Sequence, residues 1–321
     1  MVKTNGSRLC RTLLTALLAV SVVAPVTGAA RSAAVTAPVP APLAPLRTVT
    51  PAALAERYVA SRDEIWAAER MAVDHGDRWR AAMLRAMADP TRQFLSFDGR
   101  EGGRAVEVFG DLTTAERIAV LVPGSDTNLD KYGLVRGGSL RLSQELGDRS
   151  AVIAWLGYST PSTVSLDALT LDRADRAAPD LRAFIRELGA VKPGVRVSLL
   201  CHSYGSTICG LAAPGLDVAD IIMYGSPGAA VGNVAALRTR ATVWAGRGDS
   251  DWIAHVPHAR LRLPFATIGL GADPVSPEFG ARLFAAGGGG HSDYLRAGFP
   301  SLSNIARIVS GQALGQAGHG T

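Results

Sequence analysis

One stretch constrains this chain more than any other. An unbroken apolar run at residues 195–200 leads into Cys201-His202-Ser203-Tyr204-Gly205, and Ser206-Thr207 then open a helical segment. Strand, tight turn and helix is the setting in which a Gly-x-Ser-x-Gly pentapeptide lifts a serine hydroxyl clear of the backbone. The turn is strained, so the residues two places either side of the serine must be small. Here Cys201 stands where the pattern has its first Gly; it is still compact. The positive end of the following helix points at the turn and can stabilise developing negative charge.

The rest of the chain repeats the same alternation. Short apolar runs at 118–122, 151–156, 221–224 and 241–245 are separated by helical stretches. Continuous apolar runs suit strands buried on both faces of a parallel sheet, with right-handed helical crossovers between them. Ala178, Leu181, Ile185 and Leu188 mark one such helix; Gly189 can close it, and Pro179 starts or kinks it. Ahead of these, 93–97 and 104–109 read as an antiparallel pair joined through Asp98-Gly99 and Gly102-Gly103. The expected class is α/β: an α/β-hydrolase fold with a mostly parallel central sheet, helices on both faces and no large cap domain. Residues 225–239 are too few for a cap, so loops 127–138 and 255–280 are expected to roof the site.

The chain has 321 residues, enough for one large α/β domain. Its beginning reads as a leader. Lys3, Arg8 and Arg11 precede an apolar stretch at 12–26, and Gly28, Ala29 and Ala30 follow. This is the three-part pattern of a secretory signal peptide, expected over residues 1–30, and the apolar run is short of the roughly 20 residues a spanning helix takes. An Ala/Pro-rich linker is expected at 31–51, N-terminal helices packed on the core at 52–90, the catalytic domain at 91–312 and a disordered tail at 313–321. The expected location is therefore extracellular, with no stable membrane anchor once the leader is cleaved. The net charge of +5 falls to +2 without Lys3, Arg8 and Arg11. With no basic cluster interleaved with aromatics, nucleic acid is not an expected partner.

A serine hydroxyl needs a base, and six histidines are present. In the order serine, acid, histidine, His75 comes too early. His202 adjoins the serine and is expected to point away from the pocket. His255 and His258 share a loop with the candidate acids, and His319 lies in the tail. His291 remains, behind an expected strand at 281–285 and the Gly run 287–290. For the acid, Asp249 and Asp251 each lie three residues after a Gly at the end of the 241–245 strand. Trp252 and Ile253 can bury the loop around Asp251, which is preferred, with Asp249 as the alternative. The oxyanion donors are expected to be the amides of Tyr204 and of Ser125, or alternatively of Asp126. Without His-Glu-x-x-His or Cys-x-x-Cys, neither metal nor other cofactor is expected. Cys201 and Cys209 are expected to be buried free thiols. Adding the elbow to a 1.5 Å helical rise per residue separates their Cα atoms by roughly 9 Å or more, beyond the about 7 Å a disulfide tolerates.

Six pieces occur in order between about residues 93 and 310. They are Val122-Pro123-Gly124-Ser125-Asp126-Thr127, Cys201-His202-Ser203-Tyr204-Gly205-Ser206, Asp251-Trp252-Ile253, Gly271-Ala272-Asp273-Pro274, Phe279-Gly280 and Gly290-His291-Ser292-Asp293-Tyr294. Together they resemble a bacterial α/β-hydrolase family of unassigned substrate, once described only as a domain of unknown function. The resemblance implies a serine hydrolase fold; the family usually has Gly where this chain has Cys201. The leading expectation is a secreted serine hydrolase that cleaves carboxylic esters through an acyl-enzyme. An amidase or peptidase with the same triad, and a non-catalytic binding protein on this fold, are the alternatives. The expected partner is a small-molecule ester or amide.

Overall fold

The computed structural model describes residues 37–312, except 259 and 263–266. The expected leader, the first residues of the linker and the expected tail lie outside the described residues.

Two helices precede the sheet. Helix α1 (Pro51–Asp74) starts at Thr50, whose hydroxyl accepts the Ala53 amide, with Pro51 in the first turn. Gly76, at φ 75°, separates it from α2 (Arg78–Met87), capped by the Asp77 carboxylate. Helix α1 packs on α2 and on the first strand.

Strands β1 (Gln93–Asp98) and β2 (Arg104–Gly110) form the expected antiparallel hairpin. There follow β3 (Arg117–Val122), α3 (Tyr132–Leu146), β4 (Ser150–Leu156), α4 (Asp172–Val191), β5 (Arg196–His202), α5 (Gly205–Ala212), β6 (Asp220–Tyr224) and β7 (Thr242–Gly246). A small hairpin, β8 (Leu261–Arg262) with β9 (Thr267–Ile268), precedes β10 (Arg282–Leu283) and α6 (Pro300–Val309). The main sheet has the order β1-β2-β4-β3-β5-β6-β7-β10. Only β2 runs against its neighbours; β4, β3, β5, β6, β7 and β10 are mutually parallel.

Every residue of β4 and β6 is buried, which is why these segments read as continuous apolar runs. Successive residues still part company. Ile118, Val120, Ile153, Leu199 and Ile221 join a core with Leu181 and Ile185 of α4 and Ile208 of α5. Leu121, Leu200 and Ile222 are buried outside that core, on the face where α6 meets β3, β5 and β6. Helices thus cover both faces, and the chain has the α/β-hydrolase fold.

Two local expectations change. Pro179 lies in the interior of α4 and Gly189 does not end it: the helix runs on to Val191. Burial of Ala178, Leu181, Ile185 and Leu188 along one face outweighs the local preference of either residue. Most of the expected loop 127–138 is a single helical turn at Leu129–Lys131 followed by α3. It borders the site as helix rather than as loop.

Candidate active site

The site sits where β3, β5, β6 and β7 end. Ser203 follows β5 at φ 52°, a left-handed conformation that an L-residue adopts only under constraint. Three things hold it there. Its amide donates to the Tyr224 carbonyl at 3.0 Å. The Ser206 hydroxyl donates to the Cys201 carbonyl at 2.9 Å. Gly124 and Gly205 bring neighbouring backbone against the turn: a Cβ on Gly124 would lie 2.5 Å from Ser203 Cβ, and one on Gly205 would collide with the Val122 carbonyl.

A fourth constraint is covalent. Cys201 and Cys209 form a disulfide, with Cα atoms 6.3 Å apart, so they are not free thiols. The distance summed along the chain failed because the chain reverses at the elbow. Helix α5 returns alongside β5 and carries Cys209 back beside the strand end. Both cysteines are fully buried.

His291 stands over the serine. Its Nε2 is 2.9 Å from Ser203 Oγ, and its Nδ1 is 2.9 and 3.1 Å from the two carboxylate oxygens of Asp251. With Nδ1–H donated to Asp251, Nε2 is left to accept the serine proton. Asp251 is buried; it also accepts the Ile253 amide at 2.9 Å and the Tyr294 hydroxyl at 2.5 Å. Burial by itself raises this carboxyl. The bonds from His291, Tyr294 and the Ile253 amide outweigh it, and the net shift is downward, towards the charged form. Asp249 is exposed, its amide tied to the Gly287 carbonyl, and it does not reach the imidazole. Trp252, nearly half exposed, packs its ring 4.9 Å from that of His291.

Of the expected oxyanion donors, the Tyr204 and Ser125 amides have no hydrogen-bond acceptor among the described residues. The Asp126 amide donates to the Pro161 carbonyl at 2.9 Å and is already engaged. The Asp126 side chain accepts the Thr163 amide at 3.1 Å, and Tyr158 OH donates to the Pro123 carbonyl at 2.7 Å, so the turn is braced from the segment after β4.

Two residues that the sequence reading passed over belong here. His202 does not point away: its Nε2 donates to the His291 carbonyl at 2.8 Å, and its ring lies 4.8 Å from that of His291 and 5.2 Å from that of Tyr224. Burial, and secondarily the nearby His291, push its pKa down to about 4, so it stays neutral and can donate through one nitrogen only. His202 is the last residue of β5, paired with Tyr224 of β6, and adjacency to Ser203 in the chain does not carry its ring away from the segment bearing His291. Tyr294 takes the Gly248 amide at 3.0 Å and donates to Asp251; burial, then its bond to Asp251, raise its pKa far above the ordinary tyrosine value. It lay within the motif Gly290-His291-Ser292-Asp293-Tyr294, but nothing in the sequence marked its hydroxyl.

A cavity of about 410 Å³ opens onto Ser203 and His291. It is lined by α3, by His291, Ser292, Tyr294 and Leu295, and by Trp252. No described residue between His255 and Gly280 lines it, contrary to the expected roof. That segment is drawn elsewhere: the Gly269 amide bonds the Leu169 carbonyl, and Leu270 and Ala272 bond the backbone of Ala230 and Val231.

With this geometry in view, the family model described as alpha/beta hydrolase matches residues 98–261, just over half of the chain. The chain belongs to the alpha/beta hydrolase family. The matched range holds Ser203, Asp251 and the Ser125 turn, and stops before His291. Among relatives of this alpha/beta hydrolase, an uncharacterized protein of Mycobacterium tuberculosis is 28% identical over 260 residues, covering 68% of this chain and 38% of that protein. An uncharacterized protein of Mycobacterium bovis is 31% identical over 191 residues, covering 52% of this chain and 68% of that one. The chain thus spans well under half the length of the first relative. Among solved structures, an a/b serine hydrolase without lid from Xanthomonas campestris gives a TM-score of 0.45 at 19% identity, covering 69% of this chain and 94% of that one. Esterase LipW from Mycobacterium marinum gives 0.44 at 14%, covering 78% and 90%.

Proposed function

We propose that this protein is a serine hydrolase that cleaves carboxylic esters through an acyl-enzyme, with Ser203 as nucleophile, His291 as base and Asp251 as its partner. The observation that carries the reading is the continuous chain Ser203 Oγ, His291 Nε2, His291 Nδ1, Asp251, each link 2.9 Å, on a serine held at positive φ. That combination is what an activated nucleophile requires.

As Ser203 Oγ attacks the ester carbonyl carbon, His291 Nε2 takes its proton. The tetrahedral oxyanion is received by the amides of Tyr204 and Ser125. The C–O bond to the leaving alcohol breaks, and His291 returns the proton to the departing oxygen. Water, deprotonated by the same imidazole, then attacks the acyl-enzyme and releases the acid and Ser203. Asp251 stays ionised throughout and stabilises the imidazolium. The leader pattern at residues 1–30 supports an extracellular site of action. Among the described residues, no helix is long and apolar enough to cross a membrane.

The test is reaction with a fluorophosphonate probe, followed by mapping of the labelled residue and hydrolysis of simple esters. Labelling of Ser203, abolished in Ser203→Ala, is the expected result. Labelling at another serine, or none in the folded protein, would overturn the reading.

A further inference from the structure

The cavity has a charge pattern that hydrolysis of a simple ester does not require. Residues 131, 134, 135, 138 and 141 all line it from α3 and its lead-in turn. Their spacings of three and four residues put them on one helix face. Read along that face, the order is cation, apolar, apolar, glycine, cation: Lys131, Leu134, Val135, Gly138 and Arg141. At 1.5 Å per residue the two cations are about 15 Å apart along the helix. Leu121, Pro123 and Leu295 add to the apolar lining of the same cavity.

Neither cation is neutralised in an ion pair by the described residues. Arg141 Nε donates to the Leu295 carbonyl at 2.5 Å, which fixes the guanidinium against the segment carrying His291. Its two terminal nitrogens have no hydrogen-bond acceptor among the described residues. Asp126 is the one carboxylate on the described wall. It is held by the Thr163 amide, and burial, which raises its carboxyl, is outweighed by Thr163 and in smaller part by Lys131. The negative charge therefore sits at the Lys131 end, and Arg141 faces the cavity uncompensated. A half-buried guanidinium held through Nε, with two parallel N–H groups left over, is arranged for a planar carboxylate.

We propose that the substrates are esters whose acyl chain ends in a second, anionic group, a carboxylate, bound by Arg141 with Lys131 attracting it at the rim. The proposal rests on the triad reading above and names the substrate class of the same cavity. The apolar lining would take the methylene chain between the scissile carbonyl and the terminal carboxylate.

The experiment compares monoethyl esters of glutaric, adipic and pimelic acids with ethyl valerate, hexanoate and heptanoate, following acid release at constant pH. The quantity read is the ratio of kcat/KM, anionic over neutral, at matched chain length. Because it is taken within each protein, a general loss of activity cancels. The wild type is expected to prefer the anionic ester about tenfold or more at one chain length. Arg141→Met should lower that ratio about tenfold, Arg141→Lys, which keeps the charge but loses the paired N–H groups, should lower it by a smaller factor, about threefold, and Lys131→Met should lower it about threefold in a salt-dependent way. A wild-type ratio at or below one, or a ratio unchanged by Arg141→Met, would overturn the proposal while leaving the triad intact. If instead Ser203 is unlabelled and no ester is turned over, the triad reading fails, and calorimetry still reads the anion site. Saturable binding of monoethyl adipate, weakened by Arg141→Met and absent for ethyl hexanoate, supports it; no binding of the anion overturns it.

Discussion

The two sides of the site are built on different length scales. The Ser203 side is local. Cys201, Ser203, Gly205, Ser206 and Cys209 fall within nine consecutive residues, and the strand-to-helix reversal is closed by a hydrogen bond and a disulfide inside that span. The side that carries Asp251 and His291 is assembled over distance. Asp251 and His291 are 40 residues apart, and His291 and Ser203 are 88 apart. Nothing covalent joins them; Tyr294 and His202 hold the histidine-bearing segment to the acid loop and to the strand end. A locally built half can be recognised from a short motif, although Gly124 and the Tyr224 carbonyl brace it from outside. A half assembled from loops depends on polar contacts that leave little trace in sequence.

That difference can be tested from the largest effect downward. Ser203→Ala should lower turnover by on the order of 10⁴-fold or more while the folded state is retained, checked by ester kinetics and thermal melting. Asp251→Asn should cost nearly as much, on the order of 10³- to 10⁴-fold, because an amide can impose the wrong imidazole tautomer. Asp249→Asn should stay within about twofold of wild type, as expected of an exposed residue away from the reacting groups. A reversed ranking of the two aspartates would remove Asp251 from the proposed machinery.

The supporting contacts come next. Tyr294→Phe removes a donor from a buried carboxylate, and His202→Phe leaves the His291 carbonyl without its partner. Each is expected to lower kcat by about 10- to 100-fold with KM little changed, since misplacing the base slows the reacting step more than binding. If both variants instead raised KM alone, the histidine segment would be a binding wall rather than a positioned base.

On the local side, replacing both cysteines by Ala should reduce stability rather than abolish labelling. Closing so short a loop is worth about 2.5 kcal/mol in the chain-entropy account, or roughly 4–5 °C of melting temperature for a domain of this size. Thiol counting on the denatured protein without reductant should find neither Cys201 nor Cys209 free. Two free thiols there would show that Gly205 and the backbone bonds suffice to hold the elbow.

The smallest expected effect is on pH dependence. Asp251 has its carboxyl lowered in the folded state, net of a burial contribution that raises it. A group whose folded pKa lies below its unfolded value adds stability above the ordinary carboxylate range, and this is lost as pH falls through the folded value. Melting temperature should therefore fall more steeply with acid in wild type than in Asp251→Asn. Parallel curves would mean that the lowered carboxyl contributes nothing to folding.

The sheet was readable in advance because strands buried on both faces leave continuous apolar runs, and those runs mark β3 to β7 to within two residues at either end. Ser203 was readable because its constraint is steric and sequential. Asp251 was preferred over Asp249 through its neighbours Trp252 and Ile253, and the Ile253 amide does bond its carboxylate. The disulfide was misjudged because separation along the chain says nothing about a path that doubles back. The role of His202 was not legible because its partner, the His291 carbonyl, lies 89 residues away on a loop whose path the sequence does not give.

By itself, then, the sequence determined the elements whose causes are local: apolar runs, caps, the breaker at Gly76, and the compact residues around Ser203. Only the tertiary structure decided which of two equally spaced aspartates meets the imidazole, that Cys201 and Cys209 bond, that His202 supports His291, and that Arg141 lines the cavity with no ion-pair partner among the described residues. Those outcomes depend on where separate loops come to rest once the sheet has packed. Burial sets those positions, and it is shared among many residues at once rather than carried by any short stretch of chain.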